Sequence, residues 1–165
     1  MFIVRKIVPI AVLSYVLNLA WEMSQAFLFA PHFSGAVDFI FIHVVVAFTD
    51  VMLTLLILFP EFFLFDRIFR KGDEWKRIVL TASLGFLIAV GIERYALSTG
   101  MWAYGSFMPI IPLLGVGLTP VLQMTVLPGV IIRIQKGASS WIRVVRNIDA
   151  VKQRKETTTI FDARL

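Results

Sequence analysis

Apolar residues in this chain gather into four long stretches separated by short polar connections. The stretches run from Ile7 to Phe29, Val37 to Phe59, Ile78 to Leu97 and Pro109 to Ile132. Each is about 20 residues or slightly longer, enough for a helix to cross a hydrocarbon core of roughly 30 Å. A segment in hydrocarbon must satisfy its own backbone groups, so each is predicted to be helical. The short alternating segments of a membrane barrel are not seen. The pattern therefore predicts an all-α integral membrane bundle of four transmembrane helices, occupying residues 1–135. Composition agrees with it. Of 165 residues, 58% are hydrophobic and 16% charged, with a mean hydropathy of +0.82. Soluble domains carry about a quarter charged residues.

Charge then orients the spans. Arg5 and Lys6 precede the first stretch, and Arg67, Arg70, Lys71, Lys76 and Arg77 lie between the second and third. Arg133, Lys136, Arg143, Arg146, Lys152, Arg154, Lys155 and Arg164 follow the fourth, and Arg94 alone falls on the other side. By the positive-inside rule both termini and the middle connection are cytoplasmic, as in a multi-pass protein of the cell inner membrane. The first stretch is too long for a signal peptide and lacks a small-residue cleavage site, so it is expected to stay. In the basic tail, residues 136–165, Ser140 is an expected N-cap. Trp141, Val144, Val145, Ile148 and Val151 recur at helical spacing. This predicts a cytoplasmic amphipathic helix, lying on an anionic membrane surface or packed on the bundle's end.

The fourth stretch carries unusual punctuation: Pro109, Pro112, Gly115, Gly117, Pro120 and Pro128. Proline removes a backbone donor and kinks a helix, so a kinked fourth helix is expected. Its freed carbonyls near Gly117 either line a cavity or permit close helix packing.

Polar side chains within the apolar stretches are the candidate chemistry, because an ionisable group near the bilayer centre is costly and turns inward. Asn18, Glu22 and Gln25 fall on one face of the first helix, and His43, Asp50 and Thr54 on one face of the second. Glu93 lies near the outer end of the third, and Gln123 within the fourth. Glu22 is roughly 10 Å from its helix's outer end at the helical rise. A shared pocket in the outer half of the membrane is predicted. Glu22, His43, Asp50 and Glu93 are the expected catalytic groups. Asn18, Gln25, Trp102, Tyr104 and Gln123 are the expected substrate contacts. Trp102 and Tyr104 fit an interfacial aromatic belt or a lid. Glu22 with His43, and Glu93 with Arg94, could instead form structural pairs.

Two resemblances follow from these residues. The run Asn18 to Gln25, with His43, Asp50 and the stretch from Glu93 to Pro128, gives the pattern WExxQ, HxxxxxxD, GxWxY and MPxxPxxGxGLxPxxQ. It resembles a group of small bacterial polytopic membrane proteins, which implies a fold and carries no activity with it. More distantly, Glu93, Gly100-Met101-Trp102-Ala103-Tyr104 and Pro120-Val121-Leu122-Gln123 are similar in order to motifs of membrane carotenoid cyclases and hydratases. Gln123 stands where those enzymes place an acid. Any such chemistry would rest on Glu22 or Glu93.

The function classes are bounded accordingly. The first is an enzyme doing acid/base chemistry on a lipid or isoprenoid. The second is a proton-coupled transporter, for which four helices require a homo-oligomer. The third is a non-catalytic membrane subunit or assembly factor whose polar stripes join helices. Membrane lipid and a hydrophobic small molecule are the expected partners. The chain has no cysteine, which excludes thiolate chemistry and disulfides. No Walker loop, dinucleotide fingerprint or H-E-x-x-H run is present, so no cofactor or metal is expected. The basic residues sit at membrane edges rather than forming a nucleic-acid surface.

Overall fold

The computed structural model describes residues 2–31, 33–70 and 72–138. The chain divides into a unit Met1–Ile131 and a second, Ile132–Leu165, of which residues 132–138 are described. The expected amphipathic tail helix lies outside the described residues.

Helix α1 covers Phe2–Gln25 and runs into a 3₁₀ turn at Ala26–Leu28. Helix α2 covers Ala36–Phe63, the short α3 Phe65–Ile68, and α4 Glu74–Thr99. After a two-stranded hairpin, α5 covers Leu118–Ala138. Among the described residues, four helices, Ile7–Leu28, Ala36–Phe63, Glu74–Thr99 and Leu118–Ala138, are long and apolar enough to cross a membrane. By length and composition the chain is a multi-pass membrane protein.

Outward faces support that reading. Phe41, Val45, Phe48, Met52, Leu56 and Phe59 follow one another at helical spacing along α2, and all are exposed. In water such a stripe would be an aggregation hazard, and in lipid it is the natural outer surface.

The inward face of α4 is narrow and mostly small-sided. On α4 the buried residues are Thr81, Gly85, Ala89, Glu93 and Ala96, at helical spacing. Small residues let backbones approach closely where lipid gives no hydrophobic drive for association. The tightest approach has a clear cause. Pro128 has no N–H, so the carbonyl of Met124 loses its helical donor within α5. That oxygen faces Gly85, where a Cβ would lie 2.1 Å from it. The Cα–H groups of glycine are weak donors at such a contact, and no other residue fits there.

One boundary differs from expectation. The stretch from Pro109 is not helical until Leu118. Ile110–Ile111 pairs antiparallel with Val116–Gly117, Ile110 opposite Gly117. Pro109 and Pro112 cannot donate to a helix, and Leu113 and Gly115 adopt left-handed conformations with φ of 70° and 66°. The amide of Leu118 donates instead to the carbonyl of Pro109 at 2.7 Å, closing the hairpin onto the start of α5. Apolar content alone placed these residues in the span.

Candidate pocket between the helices

The site lies at the end of the bundle where the 26–35 and 100–117 connections meet. Those two connections are stitched together by backbone. Ala30 donates to Ala103 at 2.9 Å, Gly105 donates to Leu28 at 2.8 Å, and Phe29 bridges Tyr104. Below them is a cavity of about 320 Å³. Phe29, Ile42, Val46, Leu53, Ala89, Ile92, Met101, Trp102, Pro120 and Met124 form its apolar wall. Glu22, Gln25, His43, Asp50, Glu93 and Gln123 form its polar wall.

Each helix delivers its part by a face already visible in its spacing. Ser14, Asn18 and Gln25 are buried along α1, with Glu22 half-buried between them. His43, Asp50 and Thr54 are buried along α2. Gln123 of α5 joins these faces. Its Nε2 donates to Asn18 Oδ1 at 3.0 Å and to Asp50 Oδ2 at 2.9 Å, and its Oε1 accepts from Gln25 Nε2 at 3.0 Å. Gln25 Nε2 also donates to Glu22 Oε1 at 2.8 Å, and its Oε1 accepts from Trp21 Nε1 at 3.2 Å. Asn18 in turn donates to Ser14 and, at 3.4 Å, to Thr54. One glutamine thus ties two side chains of α1 and one of α2 to α5, and an amide suits the task because it donates and accepts at once.

A second group is built around Glu93, which is 5% exposed. The phenol of Tyr104 donates to Glu93 Oε2, and the Trp102 indole donates to the same oxygen at 3.4 Å. The Tyr104 oxygen also accepts from the amide of Gly117 at 2.7 Å. A Cβ at Gly117 would lie 2.9 Å from Met108 Sδ and 3.1 Å from Tyr104 Cζ, so glycine is what lets the ring sit there. Burial, and then the hydrogen bond to Glu93, push the Tyr104 hydroxyl above its ordinary pKa. It therefore stays a phenol, and a donor, across the physiological range. Glu93 is not the surface partner of Arg94. Arg94 is exposed and reaches toward the carbonyl of Leu114 at 3.5 Å.

His43 is oriented by its own helix. Its Nδ1 lies 2.7 Å from the carbonyl of Phe39, and its ring packs on Phe39 at 4.3 Å between centroids. A carbonyl can only accept, so Nδ1 carries the hydrogen and a neutral ring keeps its lone pair on Nε2.

Seven of the nine expected residues line the cavity. Asn18 and Tyr104 stand behind the wall, the first holding Gln123 and the second holding Glu93. Sequence reasoning passed over Ser14, which extends the α1 polar stripe one turn earlier and was readable from its spacing. Phe29, Ile42 and Ile92, which also line the cavity, are not distinguishable in sequence from ordinary apolar residues. Among the described residues, no group of three or more His, Cys, Asp or Glu side chains is arranged to hold a metal ion.

Comparison with protein-family models, with curated proteins and with solved structures finds no match.

Proposed function

We propose that the chain is an inner-membrane enzyme that binds a lipid or isoprenoid in this pocket and moves a proton to or from it. One observation carries the reading. Three carboxyl groups from three helices, Glu22, Asp50 and Glu93, meet one apolar cavity, and among the described residues no lysine or arginine lines it. Carboxyls held by amides, a phenol and an indole keep their capacity to exchange a proton, which a fixed cationic partner would suppress. Glu22 or Glu93 is the acid or base, His43 its partner, and Asp50 an orienting or second proton group. Tyr104 holds Glu93 from behind the wall, and Trp102, which lines the cavity, serves as a lid. The basic connections place both termini in the cytoplasm and the pocket in the outer half of the membrane. Pro128 kinks α5. The resemblance to small bacterial polytopic membrane proteins supports the architecture. The likeness to carotenoid cyclases and hydratases supports the substrate class.

Glu22→Gln tests the reading. The amide can keep a hydrogen bond to Gln25 but cannot exchange a proton. Turnover of an apolar substrate, once found, should fall at least about a hundredfold with folding unchanged. Full turnover in that variant removes Glu22 from the mechanism. If Glu93→Gln also keeps full turnover, the proposal fails.

A second reading has one observation in its favour. Every buried polar side-chain atom among the described residues has a hydrogen-bond partner. A fully satisfied network is what helix-joining polar stripes in a non-catalytic subunit would need. That reading expects Glu22→Gln and Glu93→Gln to alter stability or partner binding and no reaction.

A further inference from the structure

The pocket's charge narrows what can occupy it. Resting on the reading above, we infer that the ligand is an apolar molecule whose polar end is uncharged or cationic, and not a lipid phosphate or prenyl phosphate. The polar liners are Glu22, Asp50, Glu93, Gln25, Gln123 and His43. Among the described residues, a phosphate group bound there would face three carboxyls with no guanidinium or ammonium group lining the cavity to meet it. Phosphate sites are built from such cations or from unspent backbone amides.

Two of the backbone amides at the start of α5 are already spent. The start of α5 borders the cavity at Pro120, and a helix N-terminus ordinarily attracts anions. Here the amide of Leu118 already donates to Pro109, and the amide of Gly117 already donates to Tyr104. Pro120 has no amide hydrogen at all. The nearest basic residue in sequence, Arg94, is exposed and turned toward Leu114. The amide groups of Gln25 and Gln123 are occupied with Glu22, Asn18 and Asp50. An uncharged end, such as a hydroxyl or an unsaturated carbon, meets none of these penalties. An ammonium end gains from the carboxyls.

Three probes with one tail separate the cases: farnesol, farnesylamine and farnesyl phosphate, each radiolabelled. They are titrated on the full-length protein in an uncharged maltoside detergent. A Val46→Trp variant, which fills the cavity from its partly exposed rim, defines the pocket-specific signal. Farnesol and farnesylamine should bind saturably and lose that binding in Val46→Trp. Farnesyl phosphate should bind at least about tenfold more weakly than farnesol. Equal or tighter pocket-specific binding of the phosphate overturns the charge inference while leaving the pocket reading in place. Absence of saturable, Val46→Trp-sensitive binding for all three probes overturns both.

Discussion

Asp50 and Glu61 lie about three helical turns apart on the same inward face of α2, and each is 7% exposed. Their surroundings differ in kind. Glu61 receives Arg77 of α4 through two bonds, from Nε at 3.0 Å and from Nη2 at 2.9 Å. Asp50 receives an amide hydrogen from Gln123 and faces a cavity. A bidentate guanidinium fixes a carboxylate as an ion and satisfies its geometry. An amide positions a carboxyl without fixing its charge. At one end of the bundle the chain has completed its electrostatics, and at the other it has left them open around a space. The difference separates a carboxylate that holds helices together from carboxyls available for chemistry.

Breaking the closed end gives the largest expected effect. Glu61→Ala removes the carboxylate that meets the partly buried Arg77, and losing two hydrogen bonds to a charged group should cost about 2–3 kcal/mol. Unfolding in detergent, followed by fluorescence, should show that loss. The double variant with Arg77→Ala should cost less than the two single losses together. Strict additivity would mean the two groups do not act as a pair. The open end should respond differently, since Asp50→Asn preserves shape and most hydrogen bonding.

Next in size is the contact between α4 and α5 that lies between the two ends. Gly85→Ala drives a methyl group into the Met124 carbonyl and should cost about 1–3 kcal/mol as the helices separate. Gly129→Ala is the matched control on α5. A Cβ there meets nothing within 4 Å, and alanine is the better helix former. It should be neutral or stabilising by up to about 1 kcal/mol. Equal effects of the two substitutions would show that the Met124–Gly85 approach does not set the helix spacing.

These contacts also mark how far the sequence could be read. The spans were legible because about 20 apolar residues have few alternatives, and the polar stripes because a helix repeats every 3.6 residues. The hairpin at residues 109–117 was not, since its isoleucines and leucines read as membrane-spanning. Proline also kinks a continuous helix, so the pattern alone does not separate a hairpin from a bent span. Asn18, Asp50 and Gln123 were each recognised, but not that one amide joins them. That depends on the register between helices, which no local pattern encodes. Arg77 was assigned to a connection, yet it lies in the first turn of α4 and reaches back to Glu61. Long side chains near helix ends do this readily, and spacing along a single helix does not reveal it.

A smaller effect tests whether the Glu93 group belongs to the open end. Tyr104→Phe keeps the ring and removes the hydroxyl that joins Gly117 to Glu93. The loss of two partly buried hydrogen bonds should cost about 1–2 kcal/mol. The more telling readout is farnesol binding, which should weaken if Glu93 turns away from the cavity. Unchanged binding with lowered stability would assign Tyr104 to the fold alone.

The smallest effect is expected at the exposed rim of the closed end. Asp73 precedes α4, where its carboxylate pairs with Lys76 at 2.8 Å and accepts from the amide of Arg70 at 3.3 Å. The hydrogen bond from Lys76 is the main cause that holds its pKa below the ordinary aspartate value. A depressed native pKa contributes stability that is present above the unfolded value, near 4, and lost as pH falls through the native one. Asp73→Asn should therefore lower the unfolding midpoint slightly at neutral pH, and the difference from wild type should vanish in acid. Exposure and salt screening keep the effect small, so raising ionic strength should shrink it further. A difference that persisted unchanged through pH 3 would mean that the side chain acts as a neutral cap of α4 rather than through its charge.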